Sequence, residues 1–493
     1  MKMGRGALAF DDLVNLFSSS SKSSQSKRVF FYRICGTGMG SAATLLKEQG
    51  FCVEGGDIEY YPPVSYYLKE SGIKCFALSE VKDEYLATFD LIIVGNVVAR
   101  NSEHAKRIEN LGVPYTSFPA ALGALVLKDQ NVVGIAGTHG KTTTTYFMVQ
   151  VFEKLGMRPG YLIGGVIPDR NSAELGDGSY FFIESDEYDS GYFHKQSKFH
   201  FYCIDHLVLT SLEFDHADIF SSVEAIEKEF IRLMPTIPET IIASSEYSSI
   251  KKVMGFARED VNKIYYGERY PKIVSSGPSG TKFCVRLGDQ EQEFATNIVG
   301  PQNILNLTSV ILFAYSQGYT SEQIASALLD LRMVKRRQEI RGYYHNKLVI
   351  DDFAHHPTAV ELTIENIKIS YPLCKLVVVF APMSATARSS LFENEFAQSL
   401  LKADAAILVV PNKASTVQNT QSIDCKKIAT FIEQKGIHSL QAHSLQELRE
   451  NIDSMVAKFT REETVFLILS NGNILGLWES DFVNELKKQK SET

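Results

Sequence analysis

Short apolar runs alternate with amphipathic, helix-length stretches from Arg28 almost to the end of the chain. That alternation predicts an α/β protein, with helices covering largely parallel sheets. The 493 residues correspond to about three domains. Two glycine turns, Gly36-Thr37-Gly38-Met39-Gly40-Ser41 and Gly137-Thr138-His139-Gly140, each stand between an apolar run and a helix. Such turns gather backbone N–H groups and a helix N-terminus around a phosphate. Together these observations predict a Rossmann-like domain over 28–128 and a central domain of the P-loop ATPase type, on a mixed sheet, over 129–333. A doubly wound, dinucleotide-fold-like domain over 334–493 follows, and a flexible tail over 1–27 precedes them all.

The composition is that of an ordinary globular protein, 44% hydrophobic and 22% charged. A net charge of −8 argues against a general binder of nucleic acid or membrane surfaces. Cys35, Cys52, Cys75, Cys203, Cys284, Cys374 and Cys425 are scattered, with no Cys-x-x-Cys. They suggest neither a zinc cluster nor a disulfide framework, and they fit a reducing cytoplasm. No apolar run is long enough to span a bilayer, and no signal peptide is evident.

In the tail, Ala7 to Phe17 reads as one or two amphipathic turns, and the serine-rich stretch Ser18 to Ser26 as mobile. Val29 to Cys35 reads as a buried strand, Ala42 to Gln49 as a helix, and Cys52 to Gly56 as a second strand with Asp57 just beyond. An acidic residue about 20 positions after the glycines is the dinucleotide-binding arrangement, which suits NAD or any ligand with a diphosphate. Leu91 to Val94 and a segment near Pro114 to Thr116 add strands. Tyr61-Pro-Pro-Val-Ser65 and Gly95-Asn-Val-Val98 fall at the carboxyl edge of this sheet, where open α/β folds bind ligands.

In the central region Asn131 to Ala136 is a strand, and the helix from Lys141 buries Phe147, Met148 and Val151. Lys141 is placed to reach terminal phosphates, and the Thr142 hydroxyl to face Mg²⁺. The generic P-loop pattern wants glycine where Ile135 stands, so the string Gly-Thr-His-Gly-Lys-Thr carries the assignment. Strands Tyr180 to Ile183 and His206 to Leu212 each end in an acidic cluster, Glu184-Ser-Asp-Glu-Tyr-Asp189 and Glu213-Phe-Asp-His-Ala-Asp218. Carboxylates there can hold Mg²⁺ on phosphate oxygens, and His216 is a further candidate ligand. Strands follow near Thr240, Lys263, Lys282 and Glu293. Gly300-Pro-Gln-Asn-Ile-Leu-Asn306 then opens a helix to Gln317, in which Asn303 is either a cap or a base-recognising amide.

Beyond the basic hinge Lys335-Arg-Arg337, strands are expected at Lys347 to Ile350, Lys375 to Phe380, Ala405 to Val410 and Val465 to Leu469. Helices are expected at Ser390 to Leu401, Ser422 to Lys435, Leu445 to Lys458 and Ile474 to Lys487. Asp351-Asp-Phe-Ala-His-His-Pro357 pairs aspartates with histidines, without a familiar metal-ligand spacing.

The strings Gly137-Thr-His-Gly-Lys-Thr-Thr-Thr-Thr145, Glu184-Ser-Asp-Glu-Tyr-Asp189, Asp215-His216, Gly300-Pro-Gln-Asn303 and Asp351-Asp-Phe-Ala-His-His-Pro357, in that order, resemble the Mur ligases. The resemblance covers nearly all of residues 28–486. It implies ATP-driven amide formation with Mg²⁺ in the cytoplasm, in peptidoglycan biosynthesis or recycling, and so in cell wall biogenesis, cell shape and division. One branch of the family joins L-alanine to UDP-N-acetylmuramate; another joins the recycled tripeptide L-Ala-γ-D-Glu-meso-diaminopimelate to the same sugar nucleotide. Ile34-Cys-Gly-Thr37, Tyr61-Pro-Pro-Val-Ser65, Gly95-Asn-Val-Val98, Lys195-Gln-Ser-Lys-Phe199 and Leu212-Glu-Phe-Asp-His-Ala-Asp-Ile-Phe220 resemble the tripeptide branch, and Tyr188 stands where the alanine branch usually has serine.

The resemblance also implies roles. Gly36, Thr37, Gly38, Met39, Gly40 and Ser41 would hold the UDP diphosphate, Asp57 would lie near the uridine, and Asn96 and Arg388 would belong to the substrate site. Gly137, Thr138, His139, Gly140, Lys141, Thr142 and Thr143 would cradle ATP, and Thr142, Glu184 and His216 would bind Mg²⁺. Asn303 would meet adenine, and Arg337 and Asp352 the phosphate and ribose. His355 would line the closed site, completing a catalytic set of Lys141, Glu184, His216 and His355 that needs domain closure. The implied mechanism runs through an acyl phosphate.

Two departures stand out. Several family members carry a carbamylated lysine where Phe230 and Ile231 stand; the alanine and tripeptide branches also lack it, and Lys228 nearby reads as a solvated helix residue. In Ala381-Pro-Met-Ser-Ala-Thr386 the tripeptide branch tends to have arginine where Met383 stands, and Arg388 is the candidate to replace it. A nicotinamide-dependent oxidoreductase built on Gly36 to Ser41 and Asp57 leaves the second glycine turn and both acidic clusters unexplained. A non-catalytic P-loop protein has no use for Lys141, Glu184 and His216 together.

Overall fold

Among the described residues, three largely parallel sheets and one antiparallel sheet carry the chain. The computed structural model describes residues 7–18, 26–62, 64–417 and 419–488. By internal contacts the chain divides into two units. The first comprises residues up to Leu212, Ile226–Glu268 and Ser309–Ala327; the second comprises Glu213–Ala225, Arg269–Thr308 and the residues from Leu328 onward.

The first unit opens with strands β1 (Arg28–Tyr32), β2 (Cys52–Asp57), β3 (Lys74–Ala77), β4 (Leu91–Val94) and β5 (Tyr115–Ser117). They form a parallel sheet in the order β3-β2-β1-β4-β5. Strand order reverses between β1 and β4, so the first glycine turn leaves the sheet at its switch point, where a crevice opens. The following helix spans Thr37–Glu48 and starts earlier than expected: Gly38 to Ser41 form its first turn, with Gly36 as N-cap. Close packing explains the glycines, since a Cβ on Gly40 would stand 2.6 Å from Val64 Cγ1. Strand β3 was not expected, because this edge strand is mostly half-buried and lacks a run of fully buried apolar residues.

The expected tail is in part docked. Phe10–Ser18 is a helix. Leu13 is fully buried, the Leu8 N–H donates to Tyr115 O (2.8 Å), and Phe17 meets Phe51 edge-on at 5.7 Å. Apolar anchoring on the first sheet overrides the expectation of flexibility here, while most of the serine-rich stretch lies outside the described residues.

The same unit contains β6 (Asn131–Ala136), β7 (Gly160–Leu162), β8 (Ala173–Glu174), β9 (Tyr180–Ser185), β10 (Ile204–Leu209), β11 (Thr240–Ser244) and β12 (Asn262–Tyr266). Their order is β12-β11-β10-β6-β9-β7-β8; the β7–β8 pair is antiparallel and the others parallel, so the sheet is mixed. β6 lies between β10 and β9, which sets the second glycine turn between two acidic strand ends. The helix Lys141–Lys154 buries Phe147, Met148 and Val151 completely, as its sequence predicts.

In the second unit β13 (Lys272–Gly277), β14 (Gly280–Leu287) and β15 (Gln290–Thr296) form an antiparallel sheet. A further sheet joins β16 (Glu339–Tyr344), β17 (Lys347–Asp352), β18 (Lys375–Phe380), β19 (Ala405–Val409), β20 (His438–Ala442) and β21 (Thr464–Leu469) in the order β16-β17-β21-β18-β19-β20. Only β16 runs antiparallel within it. Leu445–Lys458 is a helix as expected. Ile474 to Lys487 is not one helix: a short 3₁₀ turn, Leu477–Glu479, and a short helix, Phe482–Glu485, replace it. Leu475 and Gly476 adopt positive φ (53° and 81°), and Lys487 pairs with Tyr343 of β16, so the chain must turn back to the sheet.

Candidate active site

The second glycine turn is fastened to the end of β10. Thr138 N–H donates to Ser211 O (3.1 Å), His139 N–H to Ser211 Oγ (2.7 Å), and Thr210 Oγ1 to His139 O (2.5 Å). Gly137 has φ 129°, and a Cβ there would lie 2.5 Å from Thr210 Oγ1, so only glycine fits. Gly140, at φ 82°, is the N-cap of Lys141–Lys154, which leaves the helix's first N–H groups turned toward the loop.

Lys141 is curled into that loop. Its Nζ donates to Gly137 O (2.6 Å) and to Glu187 Oε2 (3.0 Å). Burial favours the neutral amine, but the charges of Glu187, Asp186 and Glu184 outweigh it and raise the lysine's pKa, so it remains an ammonium. Thr142 Oγ1 donates to Glu184 Oε1 (3.0 Å), and Gly164 N–H to Glu184 Oε2 (2.8 Å). Burial raises the Glu184 pKa, opposed chiefly by Lys141. The hydroxyl and carboxylate form a pair of hard oxygen donors at a helix N-terminus, a donor set that fits Mg²⁺ on a bound nucleotide phosphate.

In the first domain Asp57 is committed to structure. Its Oδ1 accepts from Arg33 Nε (2.6 Å), and its Oδ2 from Cys35 N–H (2.7 Å), which braces the approach to the glycine turn. Beside it, a cleft of about 460 Å³ is lined by Ile58, Leu78, Ser79, Glu103, His104 and Arg107. Asn96 Nδ2 reaches Asp189 O (3.1 Å) at the end of the acidic segment. Gly36 to Ser41, Asp57, Asn96, Gly137 to Thr143 and Glu184 therefore all lie in the first unit.

His216, Asn303, Arg337, Asp352, His355 and Arg388 lie in the second. There Asp215 is the hub. Burial raises its carboxyl pKa, but the charges of His216, His355 and His356 outweigh that and hold it well below the usual range. His355 Nε2 stands 4.0 Å from Asp215 Oδ2, and His216 N–H donates to Asp215 Oδ1 (2.7 Å). Asp352 accepts from the N–H groups of Gln338 and Ala354 (both 2.8 Å), shaping the hinge that carries Arg337, whose guanidinium lies 5.1 Å from the Phe353 ring centre. Asn303 is the third residue of the helix Pro301–Ser316 and its Nδ2 donates back to Val299 O (2.9 Å), so it is not the cap that its sequence position allowed: a capping side chain precedes the helix and accepts from a backbone N–H. Met383 packs against the apolar cluster under β18 and β21, and its Cβ stands 2.9 Å from where a Gly472 Cβ would be. The Arg388 Nε is buried without a hydrogen-bond partner among the described residues.

Sequence reasoning gave no individual role to Glu187, Asp186 or Asp215, although all three stand in the quoted acidic strings. Their position one to six residues past a buried strand was the available signal.

A phosphate loop between parallel strands and beside buried carboxylates fits a nucleotide-using enzyme. Three family descriptions match in chain order: "Mur ligase family, catalytic domain" over residues 28–130, "Mur ligase middle domain" over 135–314, and "Mur ligase, glutamate ligase domain" over 336–472. The chain belongs to the Mur ligase family and is an ATP-dependent ligase that forms a C–N bond. It is 32% identical, over 92% of its length and 97% of the relative's, to UDP-N-acetylmuramate–L-alanyl-γ-D-glutamyl-meso-2,6-diaminoheptandioate ligase of Haemophilus influenzae. To UDP-N-acetylmuramate–L-alanine ligase of Pediococcus pentosaceus it is 30% identical, over 77% of this chain and 83% of the relative. A crystal structure of a murein peptide ligase from Psychrobacter arcticus is similar at a TM-score of 0.65 and 28% identity, covering 92% of this chain and 98% of that one. Among the described residues no helix is long and apolar enough to cross a membrane.

Proposed function

We propose that this ligase joins a murein tripeptide, L-Ala-γ-D-Glu-meso-diaminopimelate, to UDP-N-acetylmuramate in the cytoplasm, in peptidoglycan recycling. The observation that carries the reading is the likeness, over almost the whole of both chains, to the Haemophilus influenzae ligase named for that tripeptide. Tyr188 and the Lys195-Gln-Ser-Lys-Phe199 segment point the same way.

In this reading Gly36 to Ser41 hold the sugar nucleotide's diphosphate at the N-terminus of Thr37–Glu48, with Asn96 at the substrate side. The loop Gly137 to Thr143 holds the ATP phosphates, and Lys141 exchanges Glu187 for a phosphate oxygen. Thr142 and Glu184 would hold Mg²⁺, which supplies charge neutralisation on the phosphates; His216 is the further candidate ligand on the second unit. Asn303, Arg337 and Asp352 would take the adenine, phosphate and ribose, and His355 would line the site. A carboxylate oxygen of the sugar nucleotide bonds to the γ-phosphorus as the bond to ADP breaks, giving an acyl phosphate. The peptide amine then attacks the carbonyl carbon, loses a proton, and phosphate departs from the tetrahedral intermediate. Positioning and neutralisation of the meeting anions supply the rate.

The second reading is addition of L-alanine, which Met383 keeps open: it packs on an apolar cluster and stands where the tripeptide branch tends to have arginine. Phosphate release from ATP with Mg²⁺ and UDP-N-acetylmuramate, with tripeptide or L-alanine as acceptor, decides between them. Release driven by tripeptide supports the recycling reading; release driven only by L-alanine moves the enzyme to the biosynthetic step; release with neither refutes both.

A further inference from the structure

We propose that Lys198 is a catalytic cation of this ligase, whose ammonium receives the carboxylate that is to be phosphorylated. The proposal deepens the reading above and rests on UDP-N-acetylmuramate being the source of that carboxylate.

Lys198 opens the short turn Lys198–Phe201, and its side chain is only 16% exposed. Its Nζ lies 2.7 Å from Asp186 Oδ2, 5.5 Å from the centre of the Tyr188 ring and 5.9 Å from that of Phe118. These neighbours locate it. Asp186 follows β9 directly, between Glu184 and Glu187, and its charge also acts on Lys141. Phe118 covers the first glycine turn: a Cβ on Gly38 would stand 3.1 Å from its Cζ. The ammonium therefore bridges the two ligand-facing edges of the first unit, one beside the diphosphate-type turn and one beside the P-loop lysine.

The turn does not depend on the Lys198–Asp186 pair for its shape. Lys198 N–H donates to Tyr188 O (3.0 Å), and Ser190 Oγ to Gln196 O (2.9 Å). Ser197 Oγ and His200 Nε2 both engage Glu229 Oε2, at 3.2 and 3.0 Å. With the backbone anchored elsewhere, the ammonium can leave Asp186 for another carboxylate without disturbing the fold. Desolvating a lysine this far is costly unless its charge is used or matched.

The chemistry needs such a charge. Phosphoryl transfer to a carboxylate brings two anions into contact, and their repulsion must be offset where they meet. Lys141 serves the phosphate side. Lys198 serves the carboxylate side, shifting a hydrogen bond from Asp186 to the substrate oxygen. That oxygen bonds to the γ-phosphorus while ADP leaves with the electron pair of the broken P–O bond. Lys198 keeps its proton throughout.

The test is steady-state kinetics of the full-length enzyme with UDP-N-acetylmuramate, Mg-ATP and whichever acceptor the unaltered enzyme uses. Lys198→Met, Lys198→Arg and, as an exposed helix control, Lys228→Met are compared. Lys198→Met is expected to lower kcat by about 100-fold or more while the KM for ATP moves by less than about threefold. Lys198→Arg should recover roughly tenfold of that loss, since it restores charge with altered geometry. Melting temperatures show whether each variant is folded; if Lys198→Met melts early, Lys198→Gln carries the comparison. A raised KM for UDP-N-acetylmuramate with unchanged kcat would assign Lys198 to ground-state binding of the diphosphate and overturn the proposal. Unchanged kinetics would overturn it too. An unaltered enzyme that releases no phosphate with UDP-N-acetylmuramate overturns the underlying reading, a result distinct from active enzyme with indifferent Lys198 variants.

Discussion

Lys141 holds its charge in a buried site because the charges of Glu187, Asp186 and Glu184 act on it, so deleting it removes the cation that pairs with Glu187 inside the loop. Lys141→Ala is expected to cut ATP turnover by about 1,000-fold or more while UDP-N-acetylmuramate still binds, as calorimetric titration can show. Normal turnover in that variant would refute the phosphate-loop assignment. A different residue contributes to acid stability. His206, on β10, is 5% exposed between the Tyr180 and Phe313 rings, and burial lowers its pKa to about 4. Its Nδ1 has no hydrogen-bond partner among the described residues. Because the folded pKa is depressed, the unfolded chain takes up the proton first, and stability drains as pH falls from about 6.5 to about 4. The drop is about 3 kcal/mol at most. His206→Phe should flatten this window in denaturant titrations at a series of pH values; an unchanged slope would show that His206 does not set it.

At the scale of elements, the helix Phe118–Leu125 and the turn Lys198–Phe201 are held at backbone distance. A Cβ on Gly123 would lie 1.8 Å from Phe201 O. Gly123→Ala must push the turn away, and overpacking of this kind costs about 3 kcal/mol or more. Lower melting temperature together with reduced turnover is expected; a variant indistinguishable from the parent would show that the two segments separate easily. This contact was invisible in the sequence, where Gly123 is one small residue in an apolar helix. The strands that were legible are those with full burial, such as β6, β18 and β21, whose apolar runs announce themselves. β3, β13 and β20 were not, because each has exposed or half-buried positions that dilute the pattern. The helix expected over Ile474 to Lys487 failed for a tertiary reason: the pairing of Lys487 with Tyr343 draws the chain back to the sheet.

For the molecule as a whole, local motifs told more than domain bookkeeping. The phosphate loop, both acidic strings and the Asp351-Asp-Phe-Ala-His-His run are contiguous, so their chemistry could be read along the chain. Glu187 facing Lys141 and Asp215 among its histidines depend on how strands are ordered in space, which no linear pattern records. The two units also interleave along the chain, with residues 213–225 and 269–308 belonging to the second. Chains of more than one compact unit depart from two-state behaviour, so heat is expected to unfold the protein in more than one step. Scanning calorimetry should give a calorimetric enthalpy above the van't Hoff value; equal enthalpies would mean that the units melt as one.

The self-occupied phosphate loop also bears on inhibitor chemistry. Lys141 already has a carbonyl and a carboxylate as acceptors, both within 3.0 Å. A neutral compound entering the loop would have to strip the lysine of Glu187 and leave two buried charges apart, whereas an anion re-pairs the lysine, and a molecule that leaves the Lys141–Glu187 pair intact and binds beside it avoids the penalty altogether. Compound collections for this enzyme should therefore be weighted toward acidic groups or toward ligands of the neighbouring clefts.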